Sequence, residues 1–446
     1  MSDTQAAPID PAVLDAAHPA NAVRPRFAKL REWTKLIAIT GSAQATVQAI
    51  GFICGILVIR WLSVEQYALY TIANTMLATM TMLADGGIAS GVMSQGGKVW
   101  QDEAKLGTVI ATGIHLRRKF GLIAFLVAIP VLNYLLLKNG ASIWQAIAIS
   151  ACLIPTFVSA LTGTLLQIGP KLNQDIQSLQ KIEVTSNIWR LAMNAVVLFI
   201  LPFASLAILM TGLSQVYANW KLRTLSARHA SPLEQPDPEV STKIQELVRR
   251  ILPTTIYFCL SSQITIWIVS ILGNPSSIAQ VGALGRISVL LSVLVSILAT
   301  LMVPRFARME QNPRQVAAKF YQIVVGLFGV LILFNIFAWA FPDALLGLLG
   351  DKYAGLQMLL RWSLAAATFG TLNRVTSQLM NSRGLVMPPT LYIPLAIMAQ
   401  IAALASQDLT QLQGVFAAAI LSSGFIFVLR NVYFLFANRD TKVAAS

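Results

Sequence analysis

GFICGILVIRWLSVEQYALYTIANTMLATMTMLADGGIASGVMSQGGK, residues 51–98, holds two long apolar runs joined by the short polar turn SVEQ. Roughly 20 apolar residues cross a hydrocarbon core of about 30 Å, so the stretch reads as a hairpin of membrane helices. Neither run is uniformly apolar. Thr40, Gln44, Gln48, Gly51 and Gly55 recur at three and four residues in the first run, and Asn74, Ala78, Thr81 and Asp85 do so in the second. That spacing gathers each set on one helical face. Such a face either packs against a neighbouring helix through small residues and hydrogen bonds or lines a wet passage. For a single stripe the two readings weigh equally; two stripes in one hairpin favour the passage.

The pattern continues outward in both directions. Apolar runs fall at residues 36–59, 67–95, 119–137, 143–167, 182–202 and 204–222, then at 251–272, 278–303, 320–341, 356–381, 386–405 and 411–436. With 56% hydrophobic and 12% charged residues and a mean hydropathy of +0.66, the chain is far from the soluble average of about a quarter charged. The fold expected is an all-α membrane protein of about 12 transmembrane helices in two six-helix lobes around a central cavity. Residues 1–35 read as a cytoplasmic tail, 36–222 as the first lobe, 223–250 as a cytoplasmic linker, 251–436 as the second lobe and 437–446 as a second tail. An internal repeat supports this plan: Gln66 and Gln280 hold matching places at the start of the second and eighth runs. Six spans per half give both halves the same orientation.

The formal charge of +14 points away from nucleic acid because of where it sits. Nearly all Lys and Arg fall in alternate loops, as the positive-inside rule requires; the opposite side keeps only Arg60, Lys138 and Lys352. Both termini are therefore expected in the cytoplasm. The N-terminal residues lack the basic-then-apolar order of a cleaved signal peptide. Phe27, Leu30 and Trp33 lie among basic residues and read as a surface helix or a plain basic flank. His115, Arg117, Arg118 and Lys119 read chiefly as an orientation anchor. Cys54, Cys152 and Cys259 each fall within an apolar run, with no metal-ligand spacing; no metal and no cofactor is implied.

Charges inside the spans are the main functional clue, since a mid-span charge costs roughly 2.5–3.5 kcal/mol on insertion scales. Arg190, Arg286 and Arg374 lie well inside runs, whereas Arg361 and Arg430 lie near run ends, within reach of the interface. Asp85 and Glu183 are the acidic residues inside runs. Arginines thus outnumber carboxylates, which implies a basic cavity. Arg190, Arg286, Arg374, Gln44, Gln48 and Asn74 are the candidate lining residues.

The hairpin resembles that of the multidrug/oligosaccharidyl-lipid/polysaccharide superfamily, most closely its polysaccharide flippases of the O-antigen (Wzx) type. The resemblance rests on Arg60 with Leu62, Tyr67 with Ala68, and Asp85 with Gly87, and it extends over nearly the whole chain. It implies alternating access and export of a polyprenyl-diphosphate-linked oligosaccharide across a bacterial inner membrane for O-antigen, capsule or exopolysaccharide. The implied partners are this lipid-linked oligosaccharide, membrane lipids, and a glycan polymerase or chain-length regulator. Many relatives carry an acidic residue in the seventh span, where this chain has Thr265. Ion coupling is then expected at Asp85, and after it at Glu183.

Two other classes compete. A multidrug or cation antiporter of the same superfamily should offer carboxylates and aromatic rings to its cargo, where this chain offers arginines. A membrane glycan polymerase needs acid/base or metal-binding groups held outside the hydrocarbon. The outer loops are too short for them, and His18, His115 and His229 are far apart in sequence. No enzyme is expected.

Overall fold

The computed structural model describes residues 45–440, apart from 233, 304–305, 307–308, 310–311, 384 and 386. Thr40, Gln44, the stretch carrying Phe27, Leu30 and Trp33, and Arg305 and Arg308 lie outside the described residues. Among those described, every apolar run becomes a helix. The first half comprises α1 (Ala45–Trp61), α2 (Val64–Asp85), α3 (Ile88–Val99), α4 (Glu103–Lys138), α5 (Ile143–Leu166), α6 (Ile168–Leu172), α7 (Ile176–Ile200) and α8 (Ala204–Ser226). The second comprises α9 (Pro238–Leu272), α10 (Pro275–Leu301), α11 (Pro313–Ala340), α12 (Pro342–Leu349), α13 (Gln357–Ser382), α14 (Pro389–Ala405) and α15 (Leu412–Asp440).

Five of these helices are long and apolar enough to cross a membrane, six with the bent pair α2–α3 taken as one span; α1 and α14 are shorter apolar helices. Polar residues interrupt α7 and α13, which hold Arg190 and Arg374.

Several helices begin before their apolar runs because capping residues, rather than hydrophobicity, set their starts. Asp102 accepts from the Lys105 amide, Asp237 from the Glu239 amide and Asn312 from the Arg314 amide, satisfying donors that a helix N-terminus leaves free. Pro238 and Pro313 fill the first helical position, where no amide hydrogen is needed. Residues 238–250, read from sequence as linker, are thus the first turns of α9.

The second span breaks at Asp85. Gly86 and Gly87 take left-handed backbone angles, φ +50° and +98°, which only glycine adopts freely, and α3 leaves at 42° to α2.

Packing repeats from one half to the other. α5 lies against α8 as α13 lies against α15, and α7 against α8 as α14 against α15. The halves meet where α2 packs on α10 and α9, and α3 on α9. Their approach depends on Gly282, where a Cβ would come within 2.5 Å of the Thr71 hydroxyl.

The apolar core is continuous across the halves at the end bearing Arg60, joining Ile59, Leu62 and Tyr67 to Ile278, Leu284, Leu345 and Tyr353. Toward the opposite end it divides. One cluster holds Val92, Leu106, Ile110 and Ile168 with the start of α9, and another holds Phe320, Leu379 and Phe434. The core shared by both halves thus lies toward the Arg60 end, while at the other end α9 joins the first half, Ile244 and Val248 packing with Ile88 and Val92. Outward faces carry Leu122, Ile123, Leu126 and Val127 on α4 and Phe199 on α7, all exposed; a bilayer, not water, is the solvent such faces suit.

Candidate functional site

The site is built around the small-residue face of α1. A Cβ at Gly51 would lie 3.5 Å from Nη2 of Arg190, and one at Gly55 would lie 3.2 Å from Cδ and 3.4 Å from Nε of Arg286. Two glycines four apart on one face therefore make room for two guanidinium groups, one from α7 in the first half and one from α10 in the second. The Cys54 thiol is near both. Tyr67 and Tyr70 border Arg286, their rings stacked 5.9 Å apart. Asn74 follows Tyr70 by one helical turn and continues that face. Gln48 lies one turn before Gly51 and Phe52 on α1 and is half-buried.

Neither Arg190 nor Arg286 forms an ion pair among the described residues. Nε of Arg190 and Nδ2 of Asn74 are buried donors without a hydrogen-bond partner. Buried donors in folded proteins are nearly always paired. The junction of α1, α2, α7 and α10 therefore offers positive charge and free donors to an acceptor-rich, anionic group.

Asp85 is placed differently. Its carboxylate takes a hydrogen bond from the Ala89 amide, holding the start of α3, and pairs with Arg117. Arg117 also donates to Thr164 and to the Leu161 carbonyl. The reading of Arg117 as a surface anchor is thereby corrected: it is buried, while His115, Arg118 and Lys119 are exposed. Gly113, Arg117 and Gly121 share a face of α4, and the carboxylate at the α2 break draws the arginine inward. Glu183 is half-buried about two turns into α7, where its carbonyl accepts from Ser186 and Asn187.

Arg374 is not brought to α1. It lies exposed on the wall of a cavity of about 530 Å³ within the second half, formed by α9, α13, α14 and α15. Arg430, near a span end in the sequence, is buried on the same wall, donating to the Asn373 carbonyl at 2.6 Å and to the Tyr392 hydroxyl at 3.1 Å. Thr265 also lines this cavity. Arg361 stays at its span end, 5.2 Å over the Trp339 ring.

The three basic residues of the sparsely charged side all bridge the halves. Arg60 donates to the Leu348 and Gly347 carbonyls at 3.0 and 2.6 Å, and Lys352 to the Arg60 and Leu62 carbonyls at 3.1 and 2.7 Å. Lys138 reaches the Ile271 carbonyl at 2.7 Å, and Asn139 the Ser270 carbonyl at 3.1 Å. Sequence reasoning treated Lys138 and Lys352 only as topology markers, and Arg60 as a marker and part of the motif that carries the resemblance. No signal in the sequence links Arg60 to a helix almost 290 residues away.

No family model matches the sequence, and no curated protein resembles it at a significant level. The fold has clear likenesses among solved structures. An inward-facing multidrug resistance MATE family transporter of the MOP superfamily superposes with a TM-score of 0.74 at 14% identity, over 90% of this chain and 96% of that one. An outward-facing MATE transporter of the superfamily gives 0.65 at 16% identity over 92% and 96%, and a eukaryotic MATE transporter gives 0.62 at 15% over 94% and 99%. At these identities the likeness establishes the fold: two six-helix lobes of a membrane protein.

Proposed function

We propose that the protein is a flippase, moving a polyprenyl-diphosphate-linked oligosaccharide across a bacterial inner membrane by alternating access, for assembly of O-antigen, capsule or exopolysaccharide. The observation that carries this reading is the meeting of Arg190 and Arg286, one from each half, on the glycine face of α1 without a carboxylate partner among the described residues. At about 5 Å and an effective dielectric near 20, each arginine–phosphate charge pair gains roughly 3 kcal/mol. Gln48 and Asn74 on the adjoining faces suit sugar hydroxyls, and Gln44, a lining candidate by its sequence spacing, lies outside the described residues. The prenyl tail remains in lipid.

With both termini cytoplasmic, the Arg60 end, where the halves share one core, lies on the side away from the cytoplasm, in which such a cargo is assembled. Coupling to an ion gradient is assigned first to Asp85, whose protonation would release Arg117, and second to Glu183. A glycan polymerase or chain-length regulator is the partner expected downstream.

The test is deletion of the gene, with extraction of lipid-linked oligosaccharides and assay of surface glycan. Accumulated lipid-linked sugar with lost surface polymer is the expected result. If neither changes while sensitivity to cationic drugs rises, the chain is a multidrug exporter, as the names of its structural neighbours would have it.

A further inference from the structure

The cavity inside the second half has a chemistry of its own. Its wall carries two guanidinium groups, Arg374 and Arg430. Beyond residue 247 the only carboxylates in the sequence are Glu310, Asp343, Asp351, Asp408, Asp440 and the C-terminus, all away from the interiors of the spans. Arg430 is more than nine-tenths buried, and its partners are a carbonyl and a phenol, both neutral. A buried cation left without an anion carries a desolvation penalty of several kcal/mol. The wall thus favours an anionic ligand.

Charge alone would suit an inorganic anion, but the rest of the wall asks for more. Asn373 donates through Nδ2 to the Ser423 carbonyl, which fixes its amide, and its buried Oδ1 then finds no donor among the described residues. The buried Oε1 of Gln378, on the same wall, is likewise without one. An anion without hydrogens cannot satisfy these acceptors; a ligand bearing hydroxyls can. Ser261, Ser262, Ser377 and Ser422 add hydroxyls, and the Phe258 and Tyr392 rings, stacked 5.8 Å apart, offer an apolar face for a sugar ring. The cavity volume of about 530 Å³ lies within the range of small-molecule sites. A smaller cavity of about 150 Å³ shares Phe258, Ser377, Tyr392 and Arg430 with it and runs to Met387 and Pro389, at the start of α14.

We infer that this cavity binds an acidic monosaccharide unit, its carboxylate at Arg374 and Arg430 and its hydroxyls on Asn373 and Gln378. The inference deepens the flippase reading by naming an acidic sugar as a component of the cargo, and the site stands apart from the arginines at α1.

The experiment is calorimetric titration of the purified full-length protein in lipid nanodiscs with glucuronate, glucose and inorganic phosphate, repeated on Arg374→Gln and on Arg228→Gln, an exposed arginine just after α8 that belongs to neither basic site. Arg374 is exposed and among the described residues makes no hydrogen bond, so its replacement leaves the fold intact. Glucuronate should bind more tightly than either glucose or phosphate. Arg374→Gln should weaken it by about tenfold or more, as expected for loss of a charge-assisted hydrogen bond, while Arg228→Gln leaves it unchanged. Equal binding of glucose, a phosphate affinity that Arg374→Gln lowers as much as it lowers that for glucuronate, no binding of glucuronate, or an undiminished affinity in Arg374→Gln each overturns the inference. Because it reads binding rather than export, the titration can succeed even where gene deletion leaves lipid-linked sugars unchanged, and the reverse also holds.

Discussion

Arg60 and Lys352 hold each other's chain segments: the Lys352 ammonium donates to the Arg60 carbonyl, while the Arg60 guanidinium donates to the carbonyls of Gly347 and Leu348, just before Lys352. The exchange is reciprocal across the two halves. Each cation sits at carbonyls that a helix C-terminus leaves unsatisfied, where positive charge is favoured.

Replacing Lys352 by Ala should therefore loosen this end. Partly exposed interactions of this kind contribute about 1 kcal/mol each, enough to raise the share of molecules open at the Arg60 end several-fold. Spin labels placed on either side of the contact would read the shift as a longer distance component. Arg60→Ala combined with Lys352→Ala should change the population by less than the two effects added; strict additivity would mean that the contacts are independent.

Arg190→Gln and Arg286→Gln should each reduce export about a hundredfold, the equivalent of the roughly 3 kcal/mol expected for one arginine–phosphate pair. Membrane levels of the protein should stay near normal. Surface glycan in a complemented deletion strain is the measurement, and full activity of both variants would remove the basic junction from the mechanism.

Asp85→Ala should destabilise the protein by about 3–5 kcal/mol, since it leaves the buried Arg117 without its carboxylate. Arg117→Met in the same chain should recover much of that loss. Thermal unfolding in detergent compares the three proteins. In vesicles, Asp85→Asn should alter the dependence of transport on the ion gradient; an unchanged dependence would leave Asp85 a purely structural role.

Gly282→Val should drive α2 and α10 apart, because the first added carbon would already stand 2.5 Å from the Thr71 hydroxyl and 2.9 Å from its methyl. A lower unfolding temperature and a wider separation of the halves are expected. Thr71→Ala should relieve part of both effects, and a Gly282→Val protein that unfolds at the normal temperature would show that the approach is looser than described.

The helices were legible because each run of about 20 apolar residues announces itself, and all of the runs recur as helices. The starts of α4, α9 and α11 were not, since Asp102, Asp237 and Asn312 cap polar turns that carry no hydrophobic signal. The α1 stripe stands out in the sequence as one face, and the structure sets Arg190 and Arg286 against its glycines. Arg374 was grouped with them by depth alone. Depth along a span does not say which way a side chain points, and α13 turns it toward α9, α14 and α15. Arg117 was misread for a related reason: proximity to other basic residues outweighed its register with Gly113 and Gly121. Contacts such as that of Arg60 with Leu348 join segments with no local pattern in common, so nothing short of the folded chain brings them to notice.

The position of Cys54 makes the protein its own probe. The thiol is 6% exposed, beside both Arg190 and Arg286, whereas Cys259 is fully buried and Cys152 lies on α5, away from the junction. The speed with which a small maleimide alkylates Cys54 would thus report, without any engineered label, how often the junction is open and whether cargo fills it.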